Sequence, residues 1–332
     1  MDRLRGVIGF DGAFFATVDP ATLLYTSAIR RDMPTDASAA FIRTEFGDDD
    51  VNQLRALARA KDPVGWLDAA THETRRASAR YREAMQPFGL GDELRVALRL
   101  DGWCWGLLCL HRVESGIGFD QRDAHTLAAL APHLAAGLRR SVVSDASVGW
   151  TDEGPGVAMV NADHTLGAAT PAAARWLDEL TALDSPSKGG LPIVVQAVIE
   201  RLEAGVPPSA EALIPRARVR TPSGRWLVVH ASHLDDDERR VAVVIEPAAP
   251  AVLSTLVVAA YGMSAREAEV AQRLLAGLAR KAIAAELKIS IHTVNDHVKA
   301  VFDKSGVSSA GQLRAQLFSH ATVDTGTARH HR

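Results

Sequence analysis

The sequence predicts a multidomain α+β protein, with two antiparallel-sheet domains followed by an all-helical module. Three observations lead there. The 332 residues suffice for two or three domains at roughly 100–200 residues each. Apolar runs broken by tight-turn residues recur through residues 1–145 and again, on a smaller scale, through 146–250. Over residues 251–320 the apolar positions change to spacings of three and four, the mark of helices.

The first segment opens with "GAFFATVDPATLLYTSAI", two strands turned at Asp19-Pro20. Polar helical stretches are expected around 50–60 and 64–86. "ELRVALRLDGWCWGLLCLHR" then places two apolar runs about Asp101-Gly102, a strong hairpin signal because both turn positions need left-handed backbone. The segment closes with an amphipathic helix carrying Leu127, Leu130, Leu134 and Leu138 at spacings of three and four. In the second segment, "GVAMVNADHTLGAAT" reads as strand, turn at Ala162-Asp163, strand. Pro171 suits the first turn of a helix, and "PIVVQAVIERLEAG" is a helix stopped by Gly205. A hairpin across Pro222-Ser223-Gly224 and a last strand, "RRVAVVIEPA", complete it. No tandem repeat of fixed period is visible.

In the third segment, Ser264 followed by Glu267 makes a capping box, in which each satisfies a free helix donor. Val270, Leu274, Leu275 and Leu278 supply an apolar stripe, and Gly277 ends the helix. "RKAIAAEL" is a second, short helix; "KIS" turns the chain, and Ser290 caps a third. Two short helices joined by a tight turn form a helix-turn-helix. The third helix carries Val294, Val298 and Val301 inward, with Phe302 beside them. His292, Asn295, Asp296 and Lys299 fall outward at i, i+3, i+4 and i+7. A polar outward stripe is usually solvated surface. Here it sits in the first two turns, where a helix-turn-helix meets base edges in the major groove. Asn can bond adenine, Lys can donate to guanine and Asp can accept from cytosine. Arg280 and Lys281 begin the preceding helix, where cations and backbone donors suit phosphate.

"MSAREAEVAQRLLAGLARKAIAAELKISIHTVNDHVKAVFDKSGV" resembles the DNA-binding domain of LuxR-type transcription factors, a class shared with NarL/FixJ-type response regulators. The resemblance lies in Ser264, Arg266, Glu267, Glu269 and Val270, in Ala276-Gly277-Leu278, and in Lys281, Ile283-Ala284 and Leu287. It continues through Ile289-Ser290, Thr293-Val294, His297, Lys304 and Gly306-Val307. It implies four helices, the third entering the major groove and the fourth, about 308–318, often dimerising. By position it implies base contacts from Asn295, Asp296 and Lys299, and phosphate-contacting or supporting roles for Thr293, Lys281 and Lys304. His297 either packs between helices or meets DNA. Three positions depart from the pattern: Asn295 where many members have lysine, Ala279 where a capping Ser or Thr is usual, and Ala310 where arginine is common. Residues 1–145 resemble a GAF domain in their strand pattern, Trp105-Gly106 strand and long closing helix. Residues 150–247 resemble a PAS domain.

Composition agrees with this division. Residues 1–251 carry 27 Lys+Arg against 34 Asp+Glu, net −7, whereas residues 252–332 carry 10 against 6, net +4. A basic module on an acidic body points to a polyanionic partner for the C-terminal part. Cys104 and Cys109, five apart on one strand, should face opposite sides as buried free thiols, which fits a reducing cytoplasm. "MDRLRGVIGFDG" lacks the apolar core of a signal peptide. The uncharged stretch Pro247–Ala265 is interrupted by Pro250 and Gly262 and reads as a linker entering a buried helix rather than a membrane span. The acidic runs at 48–50 and 235–237 read as solvated turns, and His72, His111, His125 and His133 share no metal spacing. "PSKGG" lacks the context of a phosphate loop, no Gly-x-Ser-x-Gly elbow is present, and the Lys, paired-Asp and Thr pattern of a phosphate-receiving domain is missing.

The expectation is therefore a non-enzymatic, cytoplasmic regulator of transcription that binds double-stranded promoter DNA as a homodimer. It needs no metal or cofactor. Its front domains respond to a small-molecule effector or a partner, with a linker helix around Leu253–Tyr261 carrying the signal. The alternative is a ligand- or protein-binding adaptor whose helical module has lost DNA affinity. The last twelve residues, 321–332, lack apolar content and are expected to be a disordered tail.

Overall fold

The structure is a computed structural model and describes residues 1–47, 49–144, 154–184, 190–205, 215–235 and 238–313. The expected tail at 321–332 and residues 314–318 of the expected fourth helix lie outside the described residues. Two compact units divide the chain. The first holds residues up to Leu138 together with those from 153 to Pro247. The second holds the helix from Arg139 onward together with the residues from Ala248.

The first unit begins with α1 (Asp2–Arg5), β1 (Gly12–Val18) and β2 (Tyr25–Arg31), the last two turned at Asp19-Pro20 as expected. α2 (Ser38–Phe46) follows, and it was not legible in the sequence. Its N-cap is Ala37, which makes no side-chain cap bond, so no start signal marks it. The two helical stretches expected at 50–60 and 64–86 are corrected. The first keeps a single turn, α3 (Leu54–Leu57); the second keeps a single turn, α4 (Leu67–Ala70), and a helical run over residues 79–88, and between the two turns lies a short edge strand, β3 (Val64–Trp66), paired with Val96, Arg95 and Leu94. Short 3₁₀ turns and one π turn at Tyr81–Met85 lead onward. The long hairpin of β4 (Leu90–Leu100) and β5 (Trp103–Val113) turns at Asp101 and Gly102, with φ of 51° and 82°. Both are left-handed, as a tight two-residue hairpin requires.

α5 (Gln121–Ser144) closes this sheet. A Cβ at Gly106 would lie 2.7 Å from Leu138 Cδ1 and 2.6 Å from the Ala16 carbonyl oxygen, so only glycine admits the helix this close. The expected leucine stripe is corrected. Ala124, Leu127, Ala131 and Ala135 are buried, whereas Leu134 is 37% exposed. Small alanines let the helix approach the sheet, with Leu127 buried and Leu138 against Gly106 while Leu134 faces outward.

The two cysteines are also corrected. The β4–β5 register runs Leu98↔Gly106 and then Arg99↔Cys104, a β-bulge that shifts β5 by one residue. Cys104 pairs with Arg99 and Cys109 with Arg95, four apart on β4, so both thiols share one face. Both are free, and burial pushes both thiols up to about 12.

The second sheet contains β6 (Gly156–Val160), β7 (Leu166–Ala169), β8 (Arg216–Arg220), β9 (Trp226–His233) and β10 (Val241–Pro247), with α6 (Pro171–Thr181) and α7 (Ile193–Glu203) between β7 and β8. Thr170 caps α6, with Pro171 in its first turn. The strand orders are β2-β1-β5-β4-β3 and β7-β6-β10-β9-β8. Both sheets are antiparallel throughout, and both follow the same path through their five strands. One continuous apolar core joins them, from Ala16, Tyr25 and Phe46 through Val194 and Val198 of α7 to Val229 and Val243. A buried ion pair ties them as well: Arg218 Nε of β8 donates to Asp19 Oδ2 at 2.8 Å, and the Arg218 backbone N–H donates to the same oxygen at 2.9 Å.

The second unit contains α8 (Pro250–Ala260), α9 (Ala265–Leu275), α10 (Arg280–Leu287) and α11 (Ile291–Ser305). The uncharged stretch at 247–265 thus becomes α8 and its turn. No helix among the described residues is long and apolar enough to cross a membrane.

Candidate nucleic-acid interface

Three local devices hold the helical module in shape. At α9 the Ser264 hydroxyl accepts from the Glu267 backbone N–H at 3.3 Å, and the Glu267 carboxylate accepts from the Ser264 N–H at 2.7 Å, so the expected capping box forms. Gly277 takes φ of 86° just past the helix end. At α11 the Ser290 hydroxyl accepts from the Thr293 N–H at 3.0 Å and lies 2.9 Å from the Thr293 hydroxyl. α10 is less well made. Its N-cap, Ala279, gives no side-chain bond, and Lys288 ends it in left-handed backbone at φ 55°, a conformation that Gly or Asn adopts at lower cost.

Docking of α11 follows from its valines. Val294, Val298 and Val301 are 0%, 2% and 0% exposed. The first two pack with Val270, Leu274 and Ile283 of α9 and α10. Val301 joins Val258, Met263, Ala268 and Ala271. With that stripe inward, His292, Asn295, Asp296 and Lys299 are all exposed, together on the first two and a half turns. Arg280 and Lys281 are exposed at the start of α10. Arg280 Nη1 donates to Asn295 Oδ1 at 2.9 Å, which joins the α10 start to the outward stripe. Asn295 keeps its Nδ2 donors and a second lone pair on Oδ1, so the bidentate adenine pattern is still open to it. Among the described residues Lys281, His292, Asp296 and Lys299 make no hydrogen bond or ion pair.

The nine residues singled out by the sequence therefore fall into separate environments. Arg280, Lys281, His292, Asn295, Asp296 and Lys299 are exposed side chains of α10 and α11. Thr293 and His297 are half-buried, Thr293 beside its cap. Lys304 is engaged inside the module: its Nζ donates to Glu267 Oε2 at 2.7 Å and to the Gly262 carbonyl at 2.9 Å. Burial pushes the Glu267 carboxyl up, but the bonds from Lys304 and Ser264 outweigh it and hold the group below the usual carboxylate range. The outward surface presents three cations, Arg280, Lys281 and Lys299, against the single Asp296 carboxylate. That balance favours a phosphate backbone.

In the sheet unit, His164, Glu200 and Glu203 bring donor atoms within 4.8 Å of one another. His164 Nε2 lies 3.1 Å from Glu203 Oε1 and Nδ1 lies 3.7 Å from Glu200 Oε1, an ion-pair arrangement. Burial raises the Glu200 carboxyl to about 7. The sequence did not reveal this group because a turn at 164 and a helix at 200 meet only in the fold. It also did not reveal a set of buried charges around β4, where Arg80, Glu93, Arg95 and His111 are each 1% exposed. Alternation along β4 would have placed half its side chains in water, but both faces of this strand are covered.

Residues 262–315 match the family described as bacterial regulatory proteins, luxR family. No curated protein matches the chain. Among solved structures, the VqmA dimer of Vibrio cholerae, solved in the absence of target DNA and described with LuxR-type receptors, is 17% identical, with 51% of this chain and 83% of that chain covered and a TM-score of 0.22. A phage VqmA–DPO complex is 16% identical, covering 52% of this chain and 87% of that one, TM-score 0.18. The bacteriophytochrome RpBphP3 of R. palustris is 13% identical, covering 74% and 57%, TM-score 0.23. Capped, docked and matched in sequence, residues 262–315 are a LuxR-type helix-turn-helix domain.

Proposed function

We propose that the protein is a sequence-specific DNA-binding regulator of transcription. One observation carries this reading: the valine stripe docks α11 so that Asn295, Asp296 and Lys299 stand exposed at the N-terminal end of the second helix of a LuxR-type helix-turn-helix. That end is where such helices meet base edges. Arg280 and Lys281 flank it as phosphate contacts that set position rather than sequence preference. The protein binds as a homodimer whose two recognition helices lie about 34 Å apart, one turn of DNA. The two sheets, which share one strand order, are GAF-like and PAS-like sensors. They take an effector and bias the pairing of the DNA-binding modules through α8. The protein works in the cytoplasm and catalyses no reaction.

Selection of bound sequences from a random duplex pool, followed by salt titration on the winner, tests this. Enrichment of a two-half-site motif, with affinity falling steeply as salt rises because phosphate contacts release counterions, is the expected result. No binding even at low salt would leave the adaptor reading instead.

A further inference from the structure

The outward stripe of α11 carries one bond that reaches another helix. Arg280 Nη1, in the first turn of α10, donates to Asn295 Oδ1 at 2.9 Å. Asn295 stands in the second turn of α11, and both side chains are exposed. A bond this exposed contributes little to stability. Its consequence is orientation.

That orientation follows from the chemistry of the donor. A guanidinium has five N–H donors and no acceptor, so the amide atom that faces Arg280 is the oxygen. Asn295 therefore turns Oδ1 toward α10. Its Nδ2 makes no bond among the described residues and keeps both hydrogens for a ligand. Lys281, the next residue of α10, has no such link to the stripe.

The bases differ in what they ask of an amide. Adenine offers an acceptor at N7 and a donor at N6, so it needs Asn to donate and to accept at once; guanine offers acceptors at both N7 and O6, and cytosine offers only the N4 donor. Oδ1 has a second lone pair, but a cation lies 2.9 Å from it. The positive hydrogens of adenine N6 or cytosine N4 would approach that oxygen beside a like-signed charge. The acceptors of guanine meet no such opposition and match the free Nδ2 hydrogens.

We propose that Arg280 is a specificity-determining positioning residue: it holds the Asn295 amide with its donors outward, so that Asn295 reads guanine in preference to adenine. Arg280 then does more than contact phosphate, and it acts on sequence preference through Asn295. This inference rests on the reading of the protein as a sequence-specific DNA binder.

Bound sequences are selected from a random duplex pool with full-length wild type, Arg280→Ala, Asn295→Ala, the double variant and Lys281→Ala. The base column read by Asn295 is the one whose preference Asn295→Ala changes. Wild type should favour guanine over adenine there by at least tenfold. Arg280→Ala frees Oδ1 to accept from adenine N6, and should lower that ratio at least tenfold. In the Asn295→Ala background the same change should leave the ratio as it is, and Lys281→Ala should leave it at the wild-type value. A wild-type preference for adenine in that column would overturn the inference. So would a uniform loss of affinity from Arg280→Ala with the ratio unmoved, which would leave Arg280 a phosphate contact alone. An equal shift with and without Asn295 would also overturn it, because Arg280 would then read the base itself. In these three cases the protein still selects DNA and the regulatory reading stands. Wild type that enriches no sequence would overturn both.

Discussion

Lys299 and Lys281 are both exposed lysines of the helix-turn-helix domain, yet they stand in different places. Lys299 projects from α11 in the stripe that contains Asn295 and Asp296; Lys281 lies in the first turn of α10. Lys299→Ala should change which bases are preferred, at about 1–3 kcal/mol for the affected position. Lys281→Ala should weaken all sites alike and lower the salt slope by about one. Selected-sequence profiles with both variants check this, and the same uniform loss from both would remove the division between reading and positioning. A second residue-scale consequence concerns Glu200. Burial raises its folded value to about 7 from an ordinary 4.5, so the native state holds this proton more tightly than the unfolded chain. Its contribution to stability is complete below about pH 4.5 and is lost as pH rises through about 7. Glu200→Gln should therefore stabilise the protein at pH 8 by about 2 kcal/mol and have little effect at pH 4.5. Urea unfolding at the two pH values measures it, and an unchanged pH slope in the variant would rule the mechanism out.

At the scale of elements, the helical module shows what local sequence can specify. The capping box at Ser264, the cap at Ser290, the left-handed Gly277 and the valine stripe were all legible, because each depends on residues within one helix. So was the Asp101-Gly102 hairpin. The misread features depend on contacts distant in sequence. α2 has no cap to announce it, β3 exists because β4 lies beside it, and the bulge that brings Cys104 and Cys109 to one face is a property of a strand pair. Lys304 illustrates the same limit at the candidate site. The resemblance allowed a phosphate-contacting or a supporting role, and only the fold places its ammonium on Glu267 and the Gly262 carbonyl, closing the α8–α9 turn onto α11. Lys304→Met should cost the module about 1 kcal/mol, in keeping with a partly exposed charged bond. The pH dependence has a defined sign. The depressed Glu267 value makes its contribution present above about pH 4.5 and lost as pH falls through the lower folded value; the variant should flatten that acid limb. Thermal melts at pH 7 and pH 4 read both effects. Wild-type stability with a selective loss of DNA affinity would instead make Lys304 a phosphate contact.

At the scale of the whole molecule, the two sheets share one apolar core. α7 supplies Val194, Val195 and Val198 to a core that also contains Tyr25 and Phe46 of the first sheet's side and Val229 of the second. The Asp19–Arg218 pair sits at the same junction, with Asp19 3% and Arg218 6% exposed. The strand patterns repeat on either side of residue 145, and such a pattern carries no information about a shared core. The coupling makes a definite prediction. Arg218→Met removes the guanidinium and leaves the Asp19 carboxylate buried with only backbone donors, those of Ala21 and of residue 218 itself. Breaking one side of a buried pair costs about 3–5 kcal/mol. The loss should appear in both sheets together, because sub-global opening follows cooperative units. Hydrogen exchange of full-length protein, followed separately in β5 and β9, should show both strands losing protection by the same amount. Adding Asp19→Asn should restore most of it by removing the unpaired charge. Faster exchange in β9 alone, with β5 unchanged, would show that the sheets open independently and that the shared core does not couple them.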